Sequence, residues 1–368
     1  ARLVADNLPQ LLREEPAYKD GRYGEALRSA FLKMDSMLQS EKMRKKILAL
    51  SAGDADSDDE EDDDDDMDGL DKLIGLEDEE EEEDEEDEEE ATDGLPSEAE
   101  RKVMDFMQKL QMATGAEAMG CTAIVTLVES RNGARQVFIA NAGDSRCVLA
   151  QCPPRQGAVR AVALSRDHKP TLETESQRIK GAGGIITNPK TDARVNGGLN
   201  VSRAFGDFVY KNNAKVKSEE QMVTCMPEIV RHSLAAQDRF LLLGCDGVWE
   251  RATSQAIASY IAHIARRKDR GSTLAASAAA FLKLNVSVHP AITNGLGCDN
   301  MTLMVVDLRS LASSAETPSA TPEAWPSCPS SYGVVCNDED RPITSIASPR
   351  CLGGLRAPSQ RRRRILLC

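Results

Sequence analysis

Apolar positions along the chain follow two different periods. From Tyr23 to Leu38 they fall at Ala26, Leu27, Ala30, Phe31, Met34 and Leu38, which is the spacing of one helical face, and residues 1–50 as a whole read as helical. A second helix is predicted from Ser97, where Ser97-Glu-Ala-Glu100 has the form of a capping box and Val103, Phe106, Met107 and Leu110 supply a stripe. Beyond residue 120 the period shortens. Cys121–Val128, Val137–Ala140 and Cys147–Ala150 are short β-rich runs, separated by the turn signals Asn132-Gly133 and Gly143-Asp144, and they predict an antiparallel meander. Pro170 is expected to open a helix that stops at Gly181. Arg239–Gly244 and Met301–Asp307 read as buried strands. Between them lie helices from about Ser254, with Ile257, Ile261 and Ile264, and over about Thr273–Val286. Strands interleaved with long helices predict a layered α+β domain, with sheets packed inside helices.

Charge divides the chain further. Between Asp54 and Asp93 there are 28 acidic residues and one basic residue, Lys72, so this stretch alone carries −27. The whole chain carries −15, which leaves a body of +12. A run of like charge repels itself and buries little apolar surface, so residues 51–96 are expected to be a disordered acidic insertion. It interrupts a domain whose helical N-terminal part is 1–50 and whose main part is 97–308. Residues 309–368, with seven of the sixteen prolines, many serines and the Arg361–Arg364 run, are expected to form a disordered tail. Ser57, followed by Asp58, Asp59 and Glu60, has the form of an acidophilic-kinase site. No apolar stretch approaches the roughly 20 residues of a membrane span, and no signal-peptide core is present near Ala1. The ten cysteines form no CxxC pairs and no metal-ligand spacing with the four histidines, which points to a reducing compartment, nucleus or cytoplasm.

Two carboxylates stand out by position. Asp246 follows the apolar run Phe240–Leu243 in Gly244-Cys-Asp-Gly247, and Asp299 precedes the strand from Met301 in Gly297-Cys-Asp-Asn300. Each reads as a turn aspartate at a strand end. The alternative is that the two converge as a hard oxygen site for Mg²⁺ or Mn²⁺. Asp167, before the Pro170 helix, reads as a helix-start carboxylate, and Glu250 as either a neighbour of Asp246 or a solvent-facing residue. His168, beside Lys169, has the form of a general acid but reads first as structural. Within Asn141-Ala-Gly-Asp-Ser-Arg146, Asp144 and Arg146 are expected to pair and hold the turn.

Taken in order, Asn141-Ala-Gly-Asp-Ser-Arg146, Asp167-His-Lys-Pro170, Gly181-Ala-Gly-Gly184, Arg194-Val-Asn-Gly-Gly-Leu-Asn-Val-Ser-Arg-Ala-Phe-Gly-Asp207, Asp246-Gly-Val-Trp249 and Gly297-Cys-Asp-Asn300 resemble the protein phosphatase 2C family, the metal-dependent serine/threonine protein phosphatases. The acidic insertion and Lys211–Ile229 resemble its gamma isoform, a nuclear member. The resemblance implies a central antiparallel β-sandwich flanked by helices, with two Mg²⁺ or Mn²⁺ ions at one end. It implies Asp246 and Asp299 as metal ligands, and Asp167 with Glu250 at a weaker third-metal position, Glu250 standing where many members carry aspartate. The segment around Phe208–Cys225 corresponds to the family's flap, where Lys211, Lys215 and Lys217 would meet phosphoprotein substrates.

The family's opening strands, with their arginine and their Asp-Gly-His-Gly-Gly loop, are not found in the chain, so no catalytic general acid is assigned. From this follow three expectations: a sequence that begins downstream of that loop, weak turnover, and exposed sheet edges prone to aggregate. The function expected is a metal-dependent protein serine/threonine phosphatase, monomeric and without membrane or direct nucleic-acid binding. The competing expectation is a non-catalytic pseudo-phosphatase whose acidic insertion holds basic nuclear proteins.

Overall fold

The computed structural model describes residues 1–51, 96–131, 134–153, 158–266, 273–309, 332–337 and 361–367. The acidic stretch and the Asn132-Gly133 turn signal lie outside them. The chain opens with four helices, α1 (Arg2–Glu14), α2 (Pro16–Lys19), α3 (Tyr23–Leu38) and α4 (Glu41–Ser51). Then come α5 (Glu98–Met112), β1 (Gly120–Cys121), β2 (Ala123–Arg131), β3 (Ala134–Ala142), β4 (Arg146–Gln151), β5 (Arg160–Ala163) and α6 (Glu173–Gly181). Short strands β6 (Ile186–Thr187), β7 (Arg194–Val195) and β8 (Phe205–Gly206) lead to β9 (Glu228–Ser233) and β10 (Asp238–Gly244). The fold continues with α7 (Asp246–Trp249), α8 (Ser254–Arg266), α9 (Leu274–Asn285), β11 (Met301–Asp307), β12 (Tyr332–Asn337) and β13 (Arg361–Leu367).

Two antiparallel sheets, ordered β12-β11-β10-β4-β5 and β13-β2-β3-β9, stack face to face. Strand alternation sorts the side chains. Ile124, Val128, Val137, Ile139, Leu149, Leu241, Leu243 and Val306 meet between the sheets. Val125, Leu127 and Ala140 point outward onto Leu8, Leu27, Phe31 and Met34 of α1 and α3. On the opposite face Val148, Leu242 and Val305 pack on Ile257, Ile261, Phe281 and Leu282 of α8 and α9. The fold is therefore α+β, a β-sandwich between helical layers. The predicted meander is corrected in one respect. β2 and β3 pair directly, but β4 crosses to the other sheet between β10 and β5. Gly143, at φ 126°, turns the chain from one layer to the next, a conformation that glycine adopts freely.

The Ser97 capping box forms in full: Ser97 Oγ accepts from Glu100 N at 3.2 Å and Glu100 returns a carboxylate to Ser97 N at 2.7 Å. α5 buries only Phe106, so Ser97→Ala is expected to cost about 1 kcal/mol and to speed amide exchange in the first turn of α5 while leaving β2 and β3 unchanged. The α6 helix begins three residues after Pro170, at Glu173. Within 309–368, expected to lack structure, the described residues form edge strands: β12 pairs antiparallel with β11, and β13 with β2. The edges of β2 and β11, expected to lie bare, are thereby covered. An open edge offers a row of unpaired N–H and C=O groups, and Ile365 adds an apolar contact to the helix-side core.

Candidate functional site

The site forms at the end of the sandwich where β3 turns into β4 and where β10 ends and β11 begins. Register places Gly244 opposite Leu303, and Cys245 N donates to Thr302 O at 3.3 Å, so the chain segments carrying Asp246 and Asp299 leave neighbouring strands side by side. A Cβ on Gly247 would stand 3.1 Å from Asp299 Cβ and 3.4 Å from Asp299 Oδ2. The glycine after Asp246 is thus what allows Asp299 to close in. Both carboxylates are solvent-exposed. Buried beside them is Asp144, whose carboxyl is pushed up by burial and by the charge of Asp246, against the opposing pull of Lys169.

Other residues singled out from the sequence fall differently. Asp167 accepts a two-pronged contact from Arg146, Nε at 3.0 Å and Nη2 at 2.7 Å, and that guanidinium lies 5.2 Å from the centre of the Trp249 ring. The expected Asp144–Arg146 pair is therefore corrected: Lys169 Nζ holds Asp144 at 2.6 Å. The cause is the turn itself. Gly143 N donates to His168 Nδ1 and Gly143 O accepts from His168 N, which draws Lys169 over Asp144. His168 is buried, and burial with nearby Arg203 lowers its imidazole to about 4. A neutral ring locked into the turn is a structural part. Glu250 Oε2 accepts from Gly297 N at 2.8 Å and so braces the loop leading to Asp299.

Lys211 is corrected as a substrate-facing residue. Its Nζ lies 2.9 Å from both Asp35 oxygens and 2.8 Å from Ala204 O, with its side chain buried. Asp35 also accepts from Gly206 N at 2.8 Å, so the pair fastens α3 to the start of the flap. Lys211→Ala takes the paired ammonium from a buried carboxylate that keeps the Gly206 N–H; a loss of about 2–3 kcal/mol is expected by urea unfolding. Lys215 and Lys217 are exposed.

Sequence reasoning missed the network beneath the flap. Glu175 is 1% exposed. It accepts from Arg203 Nη2 at 2.6 Å, Arg178 Nη1 at 2.7 Å and Ser202 Oγ at 2.7 Å. Burial acts to raise its carboxyl, but the contacts from Arg203, Arg178 and Ser202 outweigh it and hold it at about 2. The two arginines extend onward to the carbonyls of Gln221, Ser202 and Met226, tying α6 to the 202–226 segment. Asp207, in a left-handed conformation at φ 51°, is pushed up to about 6 by burial and by Asp35, with Lys211 opposing.

Divalent cations are implied by the resemblance, and the donors present fit them in part. Asp246 and Asp299 offer adjacent hard oxygens, but among the described residues no group of three or more His, Cys, Asp or Glu side chains converges as a metal cage.

The sequence profile described as protein phosphatase 2C matches residues 71–286. The probable protein phosphatase 2C 21 of Arabidopsis thaliana is 33% identical over 309 residues, 84% of this chain and 75% of the relative. Protein phosphatase 1G of Homo sapiens is 40% identical over 189 residues, 51% of this chain and 32% of the relative. A probable protein phosphatase of Drosophila melanogaster is 38% identical over 190 residues, 52% of this chain and 26% of the relative. The chain belongs to the protein phosphatase 2C family. It spans about a quarter to a third of the length of the human and Drosophila relatives.

Proposed function

We propose that this protein is a metal-dependent protein serine/threonine phosphatase acting on phosphoserine and phosphothreonine, with Asp246 and Asp299 as its metal-holding carboxylates. The observation that carries this reading is their placement. Two glycine-flanked aspartates leave adjacent buried strands at one end of the sandwich, within a chain of this family. Asp299 lies beyond the profile-matched residues, and the β10–β11 register supports its inclusion. Mg²⁺ or Mn²⁺ bound there would supply an activated water and neutralise phosphoryl oxygens. The chain's own part is positioning: β10 and β11 fix the two aspartates, Glu250 braces the 297–299 loop, and Arg146 ties Asp167 and Trp249 to the rim. No covalent nucleophile is required of the protein. Lys215 and Lys217, exposed on the flap, are proposed to meet phosphoprotein substrates, and Asp167 and Glu250 to act only through their neighbours. Six free thiols among the described residues support a nuclear or cytoplasmic setting.

A second reading is favoured by the absence of a third converging ligand among the described residues. In it the fold binds partners without hydrolysis, and the acidic segment attracts basic nuclear proteins. Mn²⁺-dependent release of phosphate from a phosphothreonine peptide by the full-length gene product separates the two. Release supports the phosphatase; none, in a folded protein, supports the binding role.

A further inference from the structure

A cavity of about 700 Å³ lies at the end of the sandwich opposite Asp246, between the start of α3 and the far ends of β2 and β3. β2 starts at the site end, and the cavity is lined by its last residues, Glu129 and Arg131, so roughly 26 Å of strand separates the two. Four arginines line it: Arg22, Arg28, Arg131 and Arg231. Arg22 is consumed by Asp20 and Glu25. Arg28 and Arg131 are exposed and have no carboxylate or hydrogen-bond partner among the described residues. Arg231 is positioned without being neutralised: its Nε donates to Gln136 Oε1 at 2.7 Å, and its guanidinium lies 5.7 Å from the centre of the Phe138 ring. The remaining acid, Glu129, is buried and accepts from Tyr23 Oη at 3.0 Å. β13 pairs along β2 at this edge, with Arg361 opposite Arg131 and Arg363 opposite Glu129 in the register.

We propose that this cavity is the docking site of the chain's own acidic segment, residues 54–93. Charge complementarity carries the choice of occupant. The segment holds −27 and the rest of the chain +12, and guanidinium groups free of internal carboxylates are the donors best suited to bind a run of them. Length permits it: 44 residues separate Ser51 from Pro96, and a charged chain of that size spans on the order of 35–40 Å without being stretched. Tethering raises the local concentration of the segment to about millimolar, so weak individual contacts suffice. α4 is a poorer host: Lys45 is paired with Glu41 and Arg44 with Glu117, which leaves the exposed lysines Lys42 and Lys46, point charges that do not grip a carboxylate in two places as a guanidinium does.

The test uses a fluorescein-labelled peptide of residues 77–90 and the full chain carrying Glu→Gln and Asp→Asn changes across 54–93. At about 20 mM salt, where screening extends roughly 20 Å, the peptide is expected to bind this neutralised chain. Binding to the unaltered chain, whose own segment fills the cavity, is expected to be at least tenfold weaker. Adding Arg28→Gln and Arg131→Gln to the neutralised chain should weaken peptide binding at least tenfold, whereas Arg28→Lys with Arg131→Lys should preserve most of it. Changing Lys42, Lys45 and Lys46 to Gln should leave it unaltered. The lysine pair guards against a folding defect, since it perturbs the same positions while keeping the charge. Equal binding to the neutralised and unaltered chains, equal binding with and without Arg28 and Arg131, or loss on changing the α4 lysines would each overturn the proposal.

Discussion

Glu175→Ala is expected to lower unfolding free energy by about 3–5 kcal/mol, because it leaves Arg178 and Arg203 buried without a counter-charge. Both side chains are largely buried, at 12% and 17% exposure, so solvent cannot screen what the carboxylate no longer neutralises. Glu175→Gln should lose less, since an amide oxygen still accepts from Ser202. The pH dependence follows from the same carboxyl. Its pKa is about 2 in the fold and about 4.3 in an unfolded chain, so the folded state prefers the charged form. The stabilisation is complete above the unfolded value and is lost as pH falls from about 4.3 toward 2. Urea unfolding at pH 7 and at pH 3 checks both statements: the gap between wild type and Glu175→Gln should shrink at the lower pH.

Asp246→Asn is expected to reduce phosphatase activity of the full-length product at least about 100-fold, since it removes the charge of a carboxylate proposed to hold metal, where outer-shell changes alone cost 10–100-fold. Stability should move the other way. Asp144, pushed up mainly by burial and further by the charge of Asp246, is a second carboxylate close enough to Asp246 to repel it in the metal-free protein. The contact from Gly247 N to Asp246 Oδ1 at 3.0 Å survives in asparagine. Metal-free Asp246→Asn should therefore melt at or slightly above the wild-type temperature. Loss of activity with gain of stability is the signature of a residue retained for function.

The layers were legible because burial imposes a period. Phe240–Leu243 and Met301–Asp307 read as buried strands, and Asp246 and Asp299 stood out because each is flanked by glycine where those strands meet the loops. The side-chain partnerships were less visible. Glu175 sits in the first turn of α6, where a carboxylate needs no explanation beyond the helix dipole and the i,i+3 neighbour Arg178, and its other two partners lie 27 and 28 residues away. Lys211 looked available for substrate because Asp35, 176 residues distant, gives no local sign of reaching it. The Asp144–Arg146 pairing failed for the same reason, since Gly143 turns Asp144 toward a lysine that only the fold brings near. The two edge strands lay hidden in a proline-rich stretch whose composition gives no strand period.

The most direct measurement is phosphate release from a phosphothreonine peptide by the full-length gene product in Mn²⁺, with Asp246→Asn and a metal-chelated sample in parallel. Release by the wild type alone, abolished by chelation, is the predicted result. A wild type that is folded and inert in Mn²⁺, or an Asp246→Asn protein as active as the wild type, would contradict it.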